Sequence, residues 1–270
     1  MSEMTQTAER PAADARNAHG SFVWYELVSP DPDAAARFYG DVVGWQSRDA
    51  GVEGMDYRLL SIGGEDVAGF MAAPSPDMHP GWVGYIGVDD VDAAVARIVA
   101  AGGAVHMPAM DLEGVGRMAM VADPQGAPFY VMRGSSDAPS TSFAPDAHGH
   151  AAWNELVTSD QVGALAFYQN QFGWTKGDAM PMGEMGDYQF IEHGGEMIGA
   201  VMTQTPHHPR PSWSFCFRVP DIAEAERRIR DGGATINFGP AEVPGGDMVI
   251  QATDPQGAAF MVIATAKSGE

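Results

Sequence analysis

Residues 22–45 read FVWYELVSPDPDAAARFYGDVVGW, and residues 151–174 read AAWNELVTSDQVGALAFYQNQFGW. Superposed, they share Trp24 with Trp153, Glu26 with Glu155, Leu27 with Leu156 and Val28 with Val157. Phe38-Tyr39 then meets Phe167-Tyr168, and Gly44-Trp45 meets Gly173-Trp174. Working outward, Asp56-Tyr57 is repeated as Asp187-Tyr188, Gly63-Gly64-Glu65 as Gly194-Gly195-Glu196, and Trp82 as Trp213. The echo closes with Asp123-Pro124-Gln125-Gly126-Ala127 against Asp254-Pro255-Gln256-Gly257-Ala258. A spacing of about 130 residues is the size of a domain and far exceeds a solenoid unit. The chain is a tandem duplication, so each statement about a site is testable twice.

Residues 22–28 alternate and are rich in aromatic and β-branched types, which predicts a strand. Asp31 suits an N-cap, Pro32 the first turn, and residues 34–43 carry apolar side chains at helical spacing until Gly44 stops the helix. Strands near 57–62 and 67–72 follow, joined by a Gly-Gly-Glu-Asp turn. A second unit repeats the scheme, with a strand at 82–88, a helix at 90–101 and strands near 104–108, 117–122 and 128–132. The second copy predicts strands at 151–158, 187–193, 197–202, 212–219, 234–238, 247–252 and 258–264, and helices at 160–172 and 221–231. The expected class is α+β: four βαβββ units paired into two domains, each a curled mixed sheet around a cleft with helices outside. The expected boundaries are a disordered tail at 1–19, a first domain at 20–133, a Ser/Pro/Asp-rich linker at 134–149 and a second domain at 150–266.

The 270 residues carry a net charge of −21 and a single cysteine, Cys216. The charge repels phosphate backbones and acidic lipid, which argues against nucleic acid as a partner. No long apolar run is present for a membrane span, and residues 1–19 lack the apolar core of a secretory signal. One cysteine excludes an internal disulfide and suits a reducing cytoplasm. A small-molecule ligand is the expected partner. The domains are expected to pack pseudo-symmetrically in a monomer, or the chain to form a homodimer.

The strand-then-Phe-Tyr-then-Gly-Trp run, the VDDVD at 88–92 and the two DPQG turns resemble the vicinal oxygen chelate superfamily. That superfamily includes glyoxalase I, extradiol dioxygenases and bleomycin-resistance proteins. The match runs from about residue 20 to 265. Trp24-x-Glu26-Leu27, Pro108-Ala109-x-Asp111, Gly116-Arg117-Met118 and Trp153-Asn154-Glu155-Leu156 are most similar to the tandem actinobacterial type, which includes a mycobacterial glyoxalase-like antigen. In metal-using members, the resemblance implies a His or Gln on each opening strand and a Glu near the end of the last strand. Here those positions fall on Trp24 and Trp153, on Val83 and Ser214, and on Tyr130 and Met261. None is a usual ligand, so no metal and no other cofactor is expected at the family positions. His148-x-His150 and His207-His208 lack a third ligand at known spacing, and His106 and His193 stand alone.

Strand alternation turns Tyr25 and Leu27 toward the helix, and Trp24 and Glu26 toward the cleft, as with Trp153 and Glu155. A carboxyl group beside an indole in a dry pocket has its pKa raised by desolvation, which suits a general base; Glu26 and Glu155 are the candidate catalytic residues. Trp24, Trp153, Tyr85, Tyr130 and Met261 are candidate ligand-binding residues. Arg117 and Arg218 are candidates for holding a ligand carboxylate, although Arg218 can equally pair with Glu155. The Met-rich loop at 175–186 is a candidate lid. Three functions are compatible with this set. The first is metal-free binding or sequestration of a small organic molecule in aromatic clefts. The second is a glyoxalase-like lyase or isomerase acting on an α-oxo compound through Glu26 or Glu155, and the last an extradiol-type dioxygenase.

Overall fold

The computed structural model describes residues 17–52, 54–75, 77–205, 208 and 210–266. In the first half, β1 (Phe22–Ser29), α1 (Pro32–Val43), β2 (Gln46–Asp49), β3 (Tyr57–Ile62) and β4 (Glu65–Ala72) form one unit. The next is β5 (Gly81–Gly87), α2 (Val91–Ala100), β6 (Ala104–Leu112), β7 (Gly116–Ala122) and β8 (Pro128–Gly134). The second half repeats them as β9 (Ala151–Thr158), α3 (Gln161–Phe172), β10 (Thr175–Pro181), β11 (Asp187–His193) and β12 (Glu196–Thr203). Its last unit is β13 (Ser212–Arg218), α4 (Ile222–Asp231), β14 (Thr235–Glu242), β15 (Asp247–Thr253) and β16 (Ala259–Thr265).

Each half is one eight-stranded mixed sheet, in the order β2-β3-β4-β1-β5-β8-β7-β6 and its exact repeat β10-β11-β12-β9-β13-β16-β15-β14. The α+β architecture of four βαβββ units is the one expected. The opening strands of the two units lie antiparallel at the centre, which sets Trp24 opposite Tyr85 and Trp153 opposite Cys216. β8 runs parallel to β5 and puts Tyr130 level with Tyr85; β16 does the same for Met261 and Cys216.

Helix boundaries follow local chemistry. The carboxylates of Asp31, Asp90 and Asp160 each accept the backbone N–H three residues on, at 2.9 Å, satisfying a donor that the first helical turn leaves open. Gly44 and Gly173 end α1 and α3 at φ 94° and 73°, in the left-handed region where a β-carbon is penalised.

The helix-covered faces of both sheets merge into one core. Tyr25 meets Phe215 edge-on at 5.0 Å, and its hydroxyl donates to Asn154 Oδ1 at 2.9 Å. Trp82 Nε1 donates to the Tyr39 hydroxyl (3.0 Å), which donates to Asp254 Oδ2 of the other half (3.1 Å). Trp213, Tyr168 and Asp123 repeat this chain in the opposite direction with the same distances. The paired DPQG turns are therefore clasps between the halves. Trp45 Nε1 and Trp174 Nε1 reach the carbonyls of Gly149 and Gly20, again across the junction.

Three sequence expectations change. Residues 17–19 were expected within the disordered tail, but Asn17 Oδ1 accepts from Ser140 N at 2.7 Å and His19 Nε2 donates to Gln171 O at 2.9 Å. The remainder of that tail, 1–16, lies outside the described residues. The expected lid at 175–186 is mostly the edge strand β10, followed by a single 3-10 turn at Gly183–Met185. Its relative β2 is a further strand beyond those expected, because an edge strand with exposed side chains carries no apolar alternation. Among the described residues, no helix is long and apolar enough to cross a membrane.

Candidate ligand-binding clefts

The face of each sheet opposite the helices carries its own small cluster. In the first half, Val83, Tyr85, Met118 and Tyr130 are buried together, with Trp24 and Met132 packed against them. Tyr85 and Tyr130 stack at 4.2 Å with planes 9° apart, held by the parallel register of β5 and β8. Glu26 lies in this apolar setting, 3% exposed. Tyr85 donates its hydroxyl to Glu26 Oε2 at 3.0 Å, and Trp24 Nε1 donates to the Tyr57 hydroxyl at 2.9 Å. Tyr57 also engages the carboxyl group. Glu26 Oε1 is buried with no hydrogen-bond partner among the described residues.

Burial pushes Glu26 up to about 7, and the phenols of Tyr85 and Tyr57 only partly oppose this. Desolvation favours the neutral acid, while hydrogen bonds to the carboxylate favour the ion; here desolvation is the larger effect. The group is thus poised to hold or release a proton near neutrality.

The second cleft keeps the carboxyl unit and changes its surroundings. Trp153 Nε1 donates to the Tyr188 hydroxyl (2.8 Å), which donates to Glu155 Oε2 (2.7 Å). Burial raises Glu155 too, opposed by Tyr188. Cys216 and Met261 stand where the first cleft has the Tyr85–Tyr130 stack, in a cluster with Val249. Burial, with the nearby charge of Glu155 adding to it, holds the Cys216 thiol well above its ordinary value, so it is no ready nucleophile.

The arginines depart from expectation. Arg117 is on the helix-covered side of β7, in step with the core residues Ala119 and Val121. Its guanidinium grips Asp92 of α2 at 2.8 and 2.9 Å and Asp111 at 3.0 Å, away from the clefts. Strand parity explains this, because Met118 and Met120 take the cleft positions. Arg218 is on the cleft side as expected, but it bonds to Asp247 Oδ2 (2.7 Å), Thr265 Oγ1 (3.2 Å) and the Pro145 carbonyl rather than to Glu155. Tyr57, Tyr188 and Asp247 were not singled out from sequence. The repeated Asp-Tyr pair at 56–57 and 187–188 was the available signal for the two tyrosines.

The residues level with one another across the clefts do not fit a divalent ion: Trp24, Tyr85 and Tyr130 in one, Trp153, Cys216 and Met261 in the other. Among the described residues, no three His, Cys, Asp or Glu side chains gather to hold a metal. His150 Nδ1 bonds to the Thr141 carbonyl and His193 Nε2 to the His19 carbonyl, and His207 lies outside the described residues.

Comparison with known proteins bears on the family and the fold. A family model, the Glyoxalase/Bleomycin resistance protein/Dioxygenase superfamily, matches residues 21–131 and again 148–262. CFP32 of Mycobacterium bovis, provisionally named a glyoxylase, is 33% identical over 249 residues, covering 89% of this chain and 93% of that protein. The anthracycline biosynthesis protein DauV of Streptomyces sp. strain C5 is 34% identical over 266 residues, covering 92% and 94%. Among solved structures, the Mn(II)-bound glyoxalase of Novosphingobium aromaticivorans is similar with a TM-score of 0.64 and 18% identity, covering 93% of this chain and 83% of that one. A variant of homoprotocatechuate 2,3-dioxygenase from B. fuscum gives a TM-score of 0.66 at 16% identity, covering 97% and 76%. With the family model matched once in each half of the duplication, the chain belongs to the Glyoxalase/Bleomycin resistance protein/Dioxygenase superfamily.

Proposed function

We propose that the protein binds or sequesters a small, flat organic molecule on the cleft side of its sheets, without a metal at the family positions. The observation that carries this reading is the Glu26 carboxyl group set among Trp24, Tyr57, Tyr85 and Tyr130. Aromatic walls give a planar ligand stacking area, and a single buried acid supplies one directional polar contact. The likeness to a protein of anthracycline biosynthesis supports a ligand with fused rings. In this role Trp24, Tyr85 and Tyr130 form the apolar wall, and Glu26 is the polar contact. Trp153, Glu155 and Met261 are their counterparts in the second half.

A second reading is favoured by one observation, the elevation of Glu26 to about 7. A base of that strength can take a proton from carbon next to a carbonyl, and CFP32 carries a glyoxylase name. On that reading Glu26 or Glu155 would serve a lyase or isomerase acting on an α-oxo compound. The experiment is a paired assay of wild type and Glu26→Gln, which keeps the shape of the side chain. Quinizarin, a neutral hydroxylated anthraquinone, is the binding probe, and a panel of α-oxo aldehydes tests turnover. Binding retained in Glu26→Gln, with no turnover by wild type, supports a binder. Turnover by wild type that Glu26→Gln abolishes, and that Glu155→Gln retains, makes Glu26 the base.

A further inference from the structure

The two clefts differ at one end in a way that follows the duplication. In the second half, Arg218 on β13 reaches Asp247 on β15. β16 lies between those strands, so the guanidinium spans two strand spacings, about 9–10 Å, on the cleft side. It bonds on the way to Thr265 at the end of β16, and its Nε donates to the Pro145 carbonyl of the segment joining the halves. The side chain is 11% exposed and that of Asp247 23%. The strap lies over the same face as Cys216, Val249, Met261 and Ile263.

In the first half, all three strap positions are glycine. Register places Gly87 where Arg218 stands, beside Met132 as Arg218 is beside Ile263. Gly116 pairs with Gly134 as Asp247 pairs with Thr265. The same end of that cleft is bordered by Val23, Leu112 and Met132, and the glycines at 87, 116 and 134 have no side chains to form an ion pair across the face. Gly116 has a further reason to be glycine, because a β-carbon there would collide with the Arg133 carbonyl at φ +143°.

We infer that the first cleft alone takes the ligand, and that the Arg218–Asp247–Thr265 strap closes the second. The chain therefore holds one flat, non-anionic aromatic molecule rather than two. This rests on the binding reading above and narrows it to one site. The strap keeps the second half as a packed partner whose helix-covered face completes the shared core. The first cleft's wall, in which Trp24, Val83, Tyr85, Met118 and Tyr130 supply no cation to a carboxylate, disfavours an anionic ligand.

The test is a stoichiometric titration with quinizarin, followed by its visible absorbance, on the full chain. Wild type is expected to saturate at one molecule per chain, and Trp24→Ala to lose that binding about tenfold or more. Arg218→Ala/Asp247→Ala removes both charges together, so neither is left buried and unpaired, and is expected to raise saturation from one to two. Hydrogen exchange of wild type with and without quinizarin covers the case in which the double variant fails to fold. Protection is expected in β5, β7 and β8, and not in β13, β15 and β16. Saturation of wild type at two, protection in β13 and β16, or a folded double variant that still saturates at one overturns the inference while leaving the binding reading in place. Absence of quinizarin binding by wild type overturns both.

Discussion

Tyr85 donates its hydroxyl to Glu26 Oε2 at 3.0 Å while its ring stacks on Tyr130 at 4.2 Å. One side chain thus joins the buried acid to the aromatic wall. Removing the hydroxyl with Tyr85→Phe deletes a hydrogen bond that favours the carboxylate, so Glu26 should titrate at a still higher pH. A carboxyl infrared titration against Glu26→Gln as blank checks this; a downward shift would contradict it.

Glu26 also links stability to pH. Its value rises from 4.5 to about 7 on folding, so the folded chain binds the proton more tightly than the unfolded chain. The stabilisation is fully present below pH 4.5 and is lost as pH rises through about 7, with a total of about 3 kcal/mol. Glu26→Gln mimics the protonated form. It should match wild type near pH 4.5 and exceed it at pH 8 in urea unfolding. A variant less stable than wild type at pH 8 would contradict the assignment.

Gly69 sits opposite Glu26 in the parallel register of β1 and β4, and a β-carbon there would collide with the Tyr57 hydroxyl. Its φ is not in the left-handed region, so Gly69→Ala should fold and displace the phenol. The expected result is a shifted Trp24 emission and a loss of about 1–3 kcal/mol, from overpacking and the broken indole bond. Unchanged emission would mean that Tyr57 accommodates the methyl group without moving.

The clasp between the halves gives a stability prediction. Tyr39→Phe leaves Trp82 Nε1 and Asp254 Oδ2 each without a partner they now have. A cost of about 1–3 kcal/mol is expected, and Tyr168→Phe should cost a similar amount through Trp213 and Asp123. Because the core is continuous between the halves, urea unfolding should stay a single transition in both variants.

Much of this was legible in the sequence because the duplication doubled the signal. The cap at Asp31, the stops at Gly44 and Gly173, and the side of the sheet taken by Trp24 and Glu26 all follow from local chemistry and strand parity. The edge strands β2 and β10 did not show, because exposed polar strands leave no alternation. Arg117 shares strand parity with the core residues Ala119 and Val121, so its direction follows from those apolar neighbours and not from its own charge. The strap was hidden for a different reason: Arg218 and Asp247 are far apart in sequence and meet only once β16 lies between them. Arg117→Ala should accordingly leave quinizarin affinity unchanged, measured by the same absorbance titration.

The most direct single measurement is the quinizarin dissociation constant of Trp24→Ala beside that of wild type, at pH 7 with matched folding. Affinity weakened about tenfold or more is expected, since the indole forms part of the wall and is fixed by Tyr57. Equal affinity in the two proteins would place the ligand elsewhere and contradict the aromatic cleft as the binding site.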